Sequence, residues 1–287
     1  MVKALVVQGM GIGCQQEVAH ALQQAGAETE LVHINSIFSA QINLASYQII
    51  NFCGGFLYGD LLGSGMCAAN QLDLARFSSG KSVKEALIEF ARKGGTVYGQ
   101  CNGFQLLVKL GLLPGIDGDY TRQPLTLSHN DCGSYRVDYV AHRVESNHFA
   151  FSGLEGQVFH LWCRHGEGKI EYYREYGSVD AAQAEADFEA VCSKHVLLRY
   201  ANQQTGAAAL SFPDNPNGSV DAIAGLQDGT GYIFGHMAHP EVSVYSSRSP
   251  GWFSYKDALR RKGHAVQEYD HIDIGSMIFR NIVNIYK

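Results

Sequence analysis

Over the first third of the chain, apolar residues fall in short unbroken runs, each followed by apolar positions three or four apart. Lys3 to Val7 reads as a buried strand and Gly9-Met-Gly-Ile-Gly13 as a loop. Cys14 to Ala25 reads as a helix with Val18, Leu22 and Ala25 on one face, stopped by Gly26. Glu28 to Ile34 is strand-like, and Tyr47 to Cys53 is a third apolar run closed by Gly54-Gly55. Val83 to Arg92 fits a helix ended by Gly94-Gly95. Thr96 to Tyr98 begins a strand and Gly103 to Leu110 the next helix. This alternation predicts βαβ units, hence an α/β fold with a parallel sheet. Strands buried on both faces account for continuous apolar runs.

The pattern then changes. Ser134 to Val144 alternates like an antiparallel strand, and Ala181 to Ala190 resembles a polar surface helix or insertion. Ile233 to Met237 is another strand, and Ile274 to Tyr286 an amphipathic terminal helix. No repeat, low-complexity tract or linker interrupts the chain. One domain over 1–287 is expected, with an insertion or extension at 244–273, where Ser246-Ser-Arg-Ser-Pro-Gly-Trp252 fits no pattern.

Composition narrows the function. Hydrophobic residues make up 46%, enough for a sizeable core. The net charge is −6 and Arg260-Arg261-Lys262 is the longest basic cluster, which argues against nucleic acid or anionic membrane as the main partner. No run approaches the ~20 apolar residues of a membrane helix, and the Met1–Gln8 segment is too short for a signal peptide. Seven scattered cysteines without a C-x-x-C pair argue against a disulfide framework or zinc knuckle. A soluble cytoplasmic protein is expected.

Cys101 stands out in Val97-Tyr-Gly-Gln-Cys-Asn-Gly-Phe-Gln-Leu-Leu107. It falls where a strand gives way to a helix, the end at which open α/β sheets bind ligands. Gly99 and Gly103 flank it in a G-x-C-x-G nucleophile-elbow pattern. The turn exposes the sulfur, and the following helix N-terminus favours thiolate. The other six cysteines read as structural.

A thiol nucleophile needs a base and a group to orient it. Gly235-His-Met-Ala-His239-Pro-Glu241 again lies at a strand end. Pro240 biases His239 toward extended backbone, which would put Glu241 on the same side as the imidazole. Gly54 and Gly55, at a third strand end, allow backbone N–H groups to converge on an anion. The N–H groups of Gly55 and Asn102 are therefore candidates for an oxyanion hole.

With these pieces placed, the chain resembles the class I glutamine amidotransferases, and within them the glutaminase subunits of phosphoribosylformylglycinamidine (FGAM) synthase. The resemblance rests on Gly54-Gly-Phe-Leu-Tyr-Gly-Asp60, Gly99-Gln-Cys-Asn-Gly-Phe-Gln105, His165-Gly-Glu-Gly168, Asn215-Pro-Asn-Gly-Ser219 with Ile223-Ala-Gly225, and His239-Pro-Glu241. It implies a flavodoxin-like, mostly parallel sheet flanked by helices, with an additional antiparallel portion. It also implies glutamine hydrolysis by Cys101, His239 and Glu241, with Gly54, Gln105, His165 and Glu167 in the glutamine-binding region. The implied partners are an ATP-dependent FGAM synthetase subunit, which would hold ATP and magnesium, and a small accessory subunit. No cofactor is expected in this chain, which lacks G-x-x-x-x-G-K-[ST]. Family members commonly have arginine where Val242 stands, asparagine at Gly13 and cysteine at Phe104.

Three other readings compete. Gly9 to Gly13 with Glu30 suggests a dinucleotide site, but the spacing is G-x-G-x-G and not G-x-G-x-x-G. Other cysteine hydrolases and glyoxalase-like members of the superfamily share the elbow; Glu241 is the discriminating residue. A catalytically silent regulatory subunit is the third reading.

Overall fold

A computed structural model describes residues 1–39, 41–172, 180–264 and 273–287. In chain order the first elements are β1 (Lys3–Gln8), α1 (Gln15–Gln24), β2 (Glu28–His33), α2 (Ile34–Phe38), β3 (Ile49–Phe52), α3 (Met66–Leu74), α4 (Val83–Arg92), β4 (Thr96–Gln100) and α5 (Asn102–Lys109). There follow β5 (Leu125–Ser128), β6 (Arg136–Val144), β7 (Val158–His165), β8 (Lys169–Tyr172), α6 (Ala181–Lys194), β9 (Val196–Tyr200), β10 (Ile223–Gln227), β11 (Ile233–His236) and β12 (Ala238–His239), then α7 (Trp252–Arg261) and α8 (Ile274–Asn284).

One ten-stranded sheet runs β12-β7-β6-β9-β10-β11-β4-β3-β1-β2 among the described residues. The segment β2-β1-β3-β4-β11 is parallel. From β11 outward every pairing is antiparallel. A separate antiparallel pair joins β5 to β8. The antiparallel portion expected from the Ser134–Val144 pattern is thus a continuation of the main sheet, and reaches further than that pattern indicated.

Alternate strand residues face opposite layers. Leu5, Val7, Ile50, Phe52 and Val97 pack with α3, α4 and α5. Ala4, Val6, Ile49, Tyr98 and Phe234 pack with α1 and α8. Burial on both faces is the reason these strands lack a polar stripe. Helix α4 begins where its sequence dictates: the Ser82 hydroxyl accepts the Glu85 N–H at 3.0 Å, and the Glu85 carboxylate accepts the Ser82 N–H at 2.6 Å.

Two glycines let α5 fold back tightly over the sheet. A Cβ on Gly103 would lie 1.9 Å from the Phe52 carbonyl oxygen, and one on Gly99 would lie 2.7 Å from the Gly103 carbonyl. Any larger residue would push α5 off β3 and β4.

Within the unassigned 244–273 stretch, α7 is anchored by buried Trp252. The indole of Trp162 donates to the Arg248 carbonyl at 3.1 Å. Residues 265–272 lie outside the described residues. No described helix is long and apolar enough to cross a membrane.

Candidate active site

Cys101 occupies the turn between β4 and α5 with φ 51° and ψ −112°. A non-glycine residue there is strained by about 1–3 kcal/mol, and it persists only because its surroundings fix it. Its N–H donates to the His236 carbonyl at 2.9 Å, which ties the end of β4 to the end of β11. The thiol, 5% exposed, points toward the Arg164 carbonyl at 3.5 Å.

Because β4 and β11 are parallel neighbours, the chain leaving β11 arrives beside this turn. It pairs briefly with β7 as β12 and delivers His239. Nδ1 of His239 lies 2.5 Å from Oε1 of Glu241, with both side chains sealed from solvent. The route to this contact differs from a plain extended i, i+2 pairing. His239 has φ −112° and ψ 82°, short of a fully extended backbone, and Pro240–Ser243 forms a single helical turn that curls Glu241 back onto the ring. Proline at the first position of that turn is preset for it.

Burial alone would disfavour an imidazolium at His239. The Glu241 carboxylate and the nearby Cys101 thiol outweigh it and hold the His239 pKa well above its ordinary value. Nε2 of His239 has no hydrogen-bond partner among the described residues, which leaves it open to a proton. Gly54 is the floor on which both groups meet. A Cβ there would lie 2.7 Å from His239 Cε1 and 3.3 Å from Cys101 Cβ.

Gly55 follows at φ 148°, and a Cβ on it would strike the Gly11 carbonyl oxygen at 2.6 Å. Asn102 is the first residue of α5, where a backbone N–H has no intrahelical acceptor. The Asn102 side chain braces the glycine loop: its Oδ1 accepts the Leu57 N–H at 3.1 Å and its Nδ2 donates to Asp60 at 2.9 Å. The Gly9–Gly13 loop is committed to the same region. The N–H groups of Gly13 and Cys14 donate to the Gly54 carbonyl at 3.2 and 3.3 Å, so these two loop N–H groups are already engaged within the protein.

The His165–Gly168 loop closes another side. Gln105, on α5, donates from its amide to the Glu167 carbonyl. The Glu167 carboxylate accepts the Ser64 N–H at 2.9 Å and pairs with Lys109 at 3.5 Å. His165 is turned inward: its Nδ1 lies 3.1 Å from Asn130 Oδ1, and burial lowers its pKa to about 3, so the ring is neutral. A Cβ on Gly168 would lie 2.4 Å from that ring. Asn217 donates to the Gly168 carbonyl at 2.8 Å and to the Tyr200 hydroxyl at 3.0 Å, so the Asn215–Ser219 turn pins this loop to β9. Gln105, His165 and Glu167 therefore hold the wall of the site through protein partners.

Sequence reasoning passed over several of these residues. Asn130, Ser64 and Lys109 carry no local signature, since each acts on a loop distant in sequence. Cys14, read as structural, instead sits 3.7 Å from His239 Nδ1.

A strained thiol on a strand–helix turn, a carboxylate-bound histidine delivered just beyond the neighbouring parallel strand and a glycine floor between them make an α/β site of the amidotransferase type. The chain belongs to the CobB/CobQ-like glutamine amidotransferase domain family, whose model matches residues 1–284. It is 36% identical over 284 residues to the phosphoribosylformylglycinamidine synthase subunit PurQ of Methanococcus maripaludis, covering 99% of this chain and 97% of that one. It is 36% identical over 268 residues to the PurQ subunit of Dehalococcoides mccartyi, covering 93% and 94%. Among solved structures, a chain of PurLQS from Thermotoga maritima superposes with a TM-score of 0.65 at 25% identity, covering 100% of this chain and 99% of that one.

Proposed function

We propose that this chain is the glutaminase subunit of a phosphoribosylformylglycinamidine synthase. The observation that carries the proposal is the meeting of Cys101 and the His239–Glu241 pair over Gly54, in a chain matched along nearly its whole length by PurQ subunits. The Glu241 contact favours this reading over a hydrolase that uses the elbow alone.

In this mechanism the Cys101 thiolate attacks the side-chain amide carbon of glutamine, and its proton resides on His239. The N–H groups of Gly55 and Asn102 receive the developing oxyanion. Imidazolium then protonates the departing amine, ammonia leaves, and a γ-glutamyl thioester remains on Cys101. Water, deprotonated by His239, releases glutamate. Glu241 holds the tautomer and offsets the positive charge on the ring. Ammonia passes to an ATP-dependent synthetase subunit that amidates formylglycinamide ribonucleotide.

Glutamate release from glutamine, measured for the chain alone and with its synthetase, tests the proposal. Activity is expected to be low alone and to rise at least about tenfold on assembly, as binding orders the site. No release in either state would overturn it.

A further inference from the structure

The mechanism above leaves one well-placed sulfur without a task. Cys14 precedes α1 on the loop that its own N–H ties to Gly54, and its Sγ lies 3.7 Å from His239 Nδ1. Nδ1 is the nitrogen that Glu241 already holds at 2.5 Å. One thiol, one ring nitrogen and one carboxylate thus converge, with ligand atoms all within 4.8 Å of one another. A second observation bears on the same place. Oε2 of Glu241 is buried and has no hydrogen-bond partner among the described residues, so the carboxylate keeps an unused donor atom.

The geometry points to an inhibitory site for a borderline-soft divalent cation such as Zn2+, held by Cys14, His239 Nδ1 and Glu241. Zinc binds sulfur at about 2.3 Å, imidazole nitrogen at about 2.0–2.1 Å and carboxylate oxygen at about 2.0–2.2 Å, so a tetrahedral ion spaces its sulfur and nitrogen ligands by about 3.5 Å. The Cys14–His239 separation is already close to that edge. The His239–Glu241 contact is a hydrogen bond and has to open by about 0.8 Å to reach the corresponding nitrogen–oxygen edge.

Charge and protons balance. Entry of the dication releases the thiol proton of Cys14 and the Nδ1 proton of His239, so the site's net charge is unchanged. The consequence for catalysis is direct: the metal takes the nitrogen by which Glu241 orients the ring, and a metal-bound imidazole cannot carry the proton from Cys101 as imidazolium. Magnesium, which prefers an oxygen shell, is not suited to this donor set.

Cobalt(II) titration of the purified, reduced chain tests the site. One equivalent is expected to bind with a thiolate-to-cobalt charge-transfer absorption that Zn2+ displaces and Mg2+ does not. Cys14→Ala and Cys14→Ser should both abolish the absorption while circular dichroism shows an intact fold, and Cys101→Ala should keep it. Absence of the band in the unmodified chain, or its survival in both Cys14 variants, overturns the proposal. So does its loss in Cys101→Ala, which would put the metal on the nucleophile.

A second arm measures glutamine hydrolysis in the assembled complex. Zn2+ should inhibit, a chelator should restore activity, and Cys14→Ala should raise the half-inhibitory Zn2+ concentration by about tenfold or more. Equal sensitivity in the variant overturns the proposal. This arm rests on the glutaminase reading, whereas the cobalt arm does not. A chain that binds cobalt through Cys14 yet hydrolyses no glutamine would count against the glutaminase and not against the metal site.

Discussion

Glu241 grips His239 at 2.5 Å from only two residues away, because Pro240 starts a tight turn that brings the carboxylate back under the ring. The pair is buried, so the carboxylate is the main counterweight to the cost of charging the imidazole. Glu241→Gln keeps the shape and removes the charge. With burial then dominant, the His239 pKa should fall, and glutamine hydrolysis should drop by about 10²–10⁴-fold. Imidazole titration by NMR and the pH–rate profile check both parts; an unchanged histidine titration would contradict the assignment.

Gly54 supplies space that no other residue leaves free. Gly54→Ala would put a methyl 2.7 Å from His239 Cε1 and 3.3 Å from Cys101 Cβ. Displacing the imidazole by even part of an ångström should lower kcat by about 10²-fold. Circular dichroism should show a folded protein, since the neighbour that must move is a side chain.

Gly103 makes the opposite kind of contact. Its Cβ would fall 1.9 Å from a backbone carbonyl, Phe52 O, which cannot move without lifting α5 from β3. Gly103→Ala should destabilise the fold by about 3 kcal/mol or more, read as a shift in urea midpoint. A near-normal midpoint would mean that the helix sits further from the sheet.

Acid should unfold this protein early. Burial lowers the pKa of His142 and His148 to about 4 and of His165 and His236 to about 3. In the unfolded chain each titrates near 6.5, so between pH 6.5 and about 4 the unfolded state binds protons that the folded state refuses. Each histidine then removes up to about 1.4 kcal/mol of stability per pH unit as the pH falls. Above pH 6.5 these four groups are neutral in both states and contribute no slope. Urea melts from pH 7 to 4 should show a steep fall over that window, and flat stability would contradict the buried neutral assignment.

The parts of this architecture governed by neighbours in sequence were legible from sequence. Val83–Arg92 is one such part, and the turn into α5 is another, since Gly99 is required by Gly103 and Leu107 a few residues on, although Gly103 itself is required by the distant Phe52 carbonyl. Helix α3 was not legible: Met66–Leu74 follows a glycine-rich loop, and its buried face consists of Ala68, Ala69 and Leu72, too slight an apolar stripe to stand out. Strand β7 does alternate in burial, but apolar Val158 and Trp162 at outward positions and polar His165 at an inward one blur the pattern that would reveal it. At the site, Cys101 and His239 carried local glycine and proline signals. Cys14 reaches His239 across 225 residues, and Asn130 reaches His165 across 35. Such contacts leave no trace in local spacing.

The central claim is that Cys101 is a nucleophile and not a structural thiol, and one comparison tests it most directly. Cys101→Ser is assembled with the synthetase, and FGAM formation is measured with glutamine and, separately, with free ammonia. Glutamine-dependent synthesis is expected to fall by about 10³-fold or more while ammonia-dependent synthesis stays near the unmodified level. Retention of glutamine-dependent synthesis, or loss of both activities together, would contradict the claim.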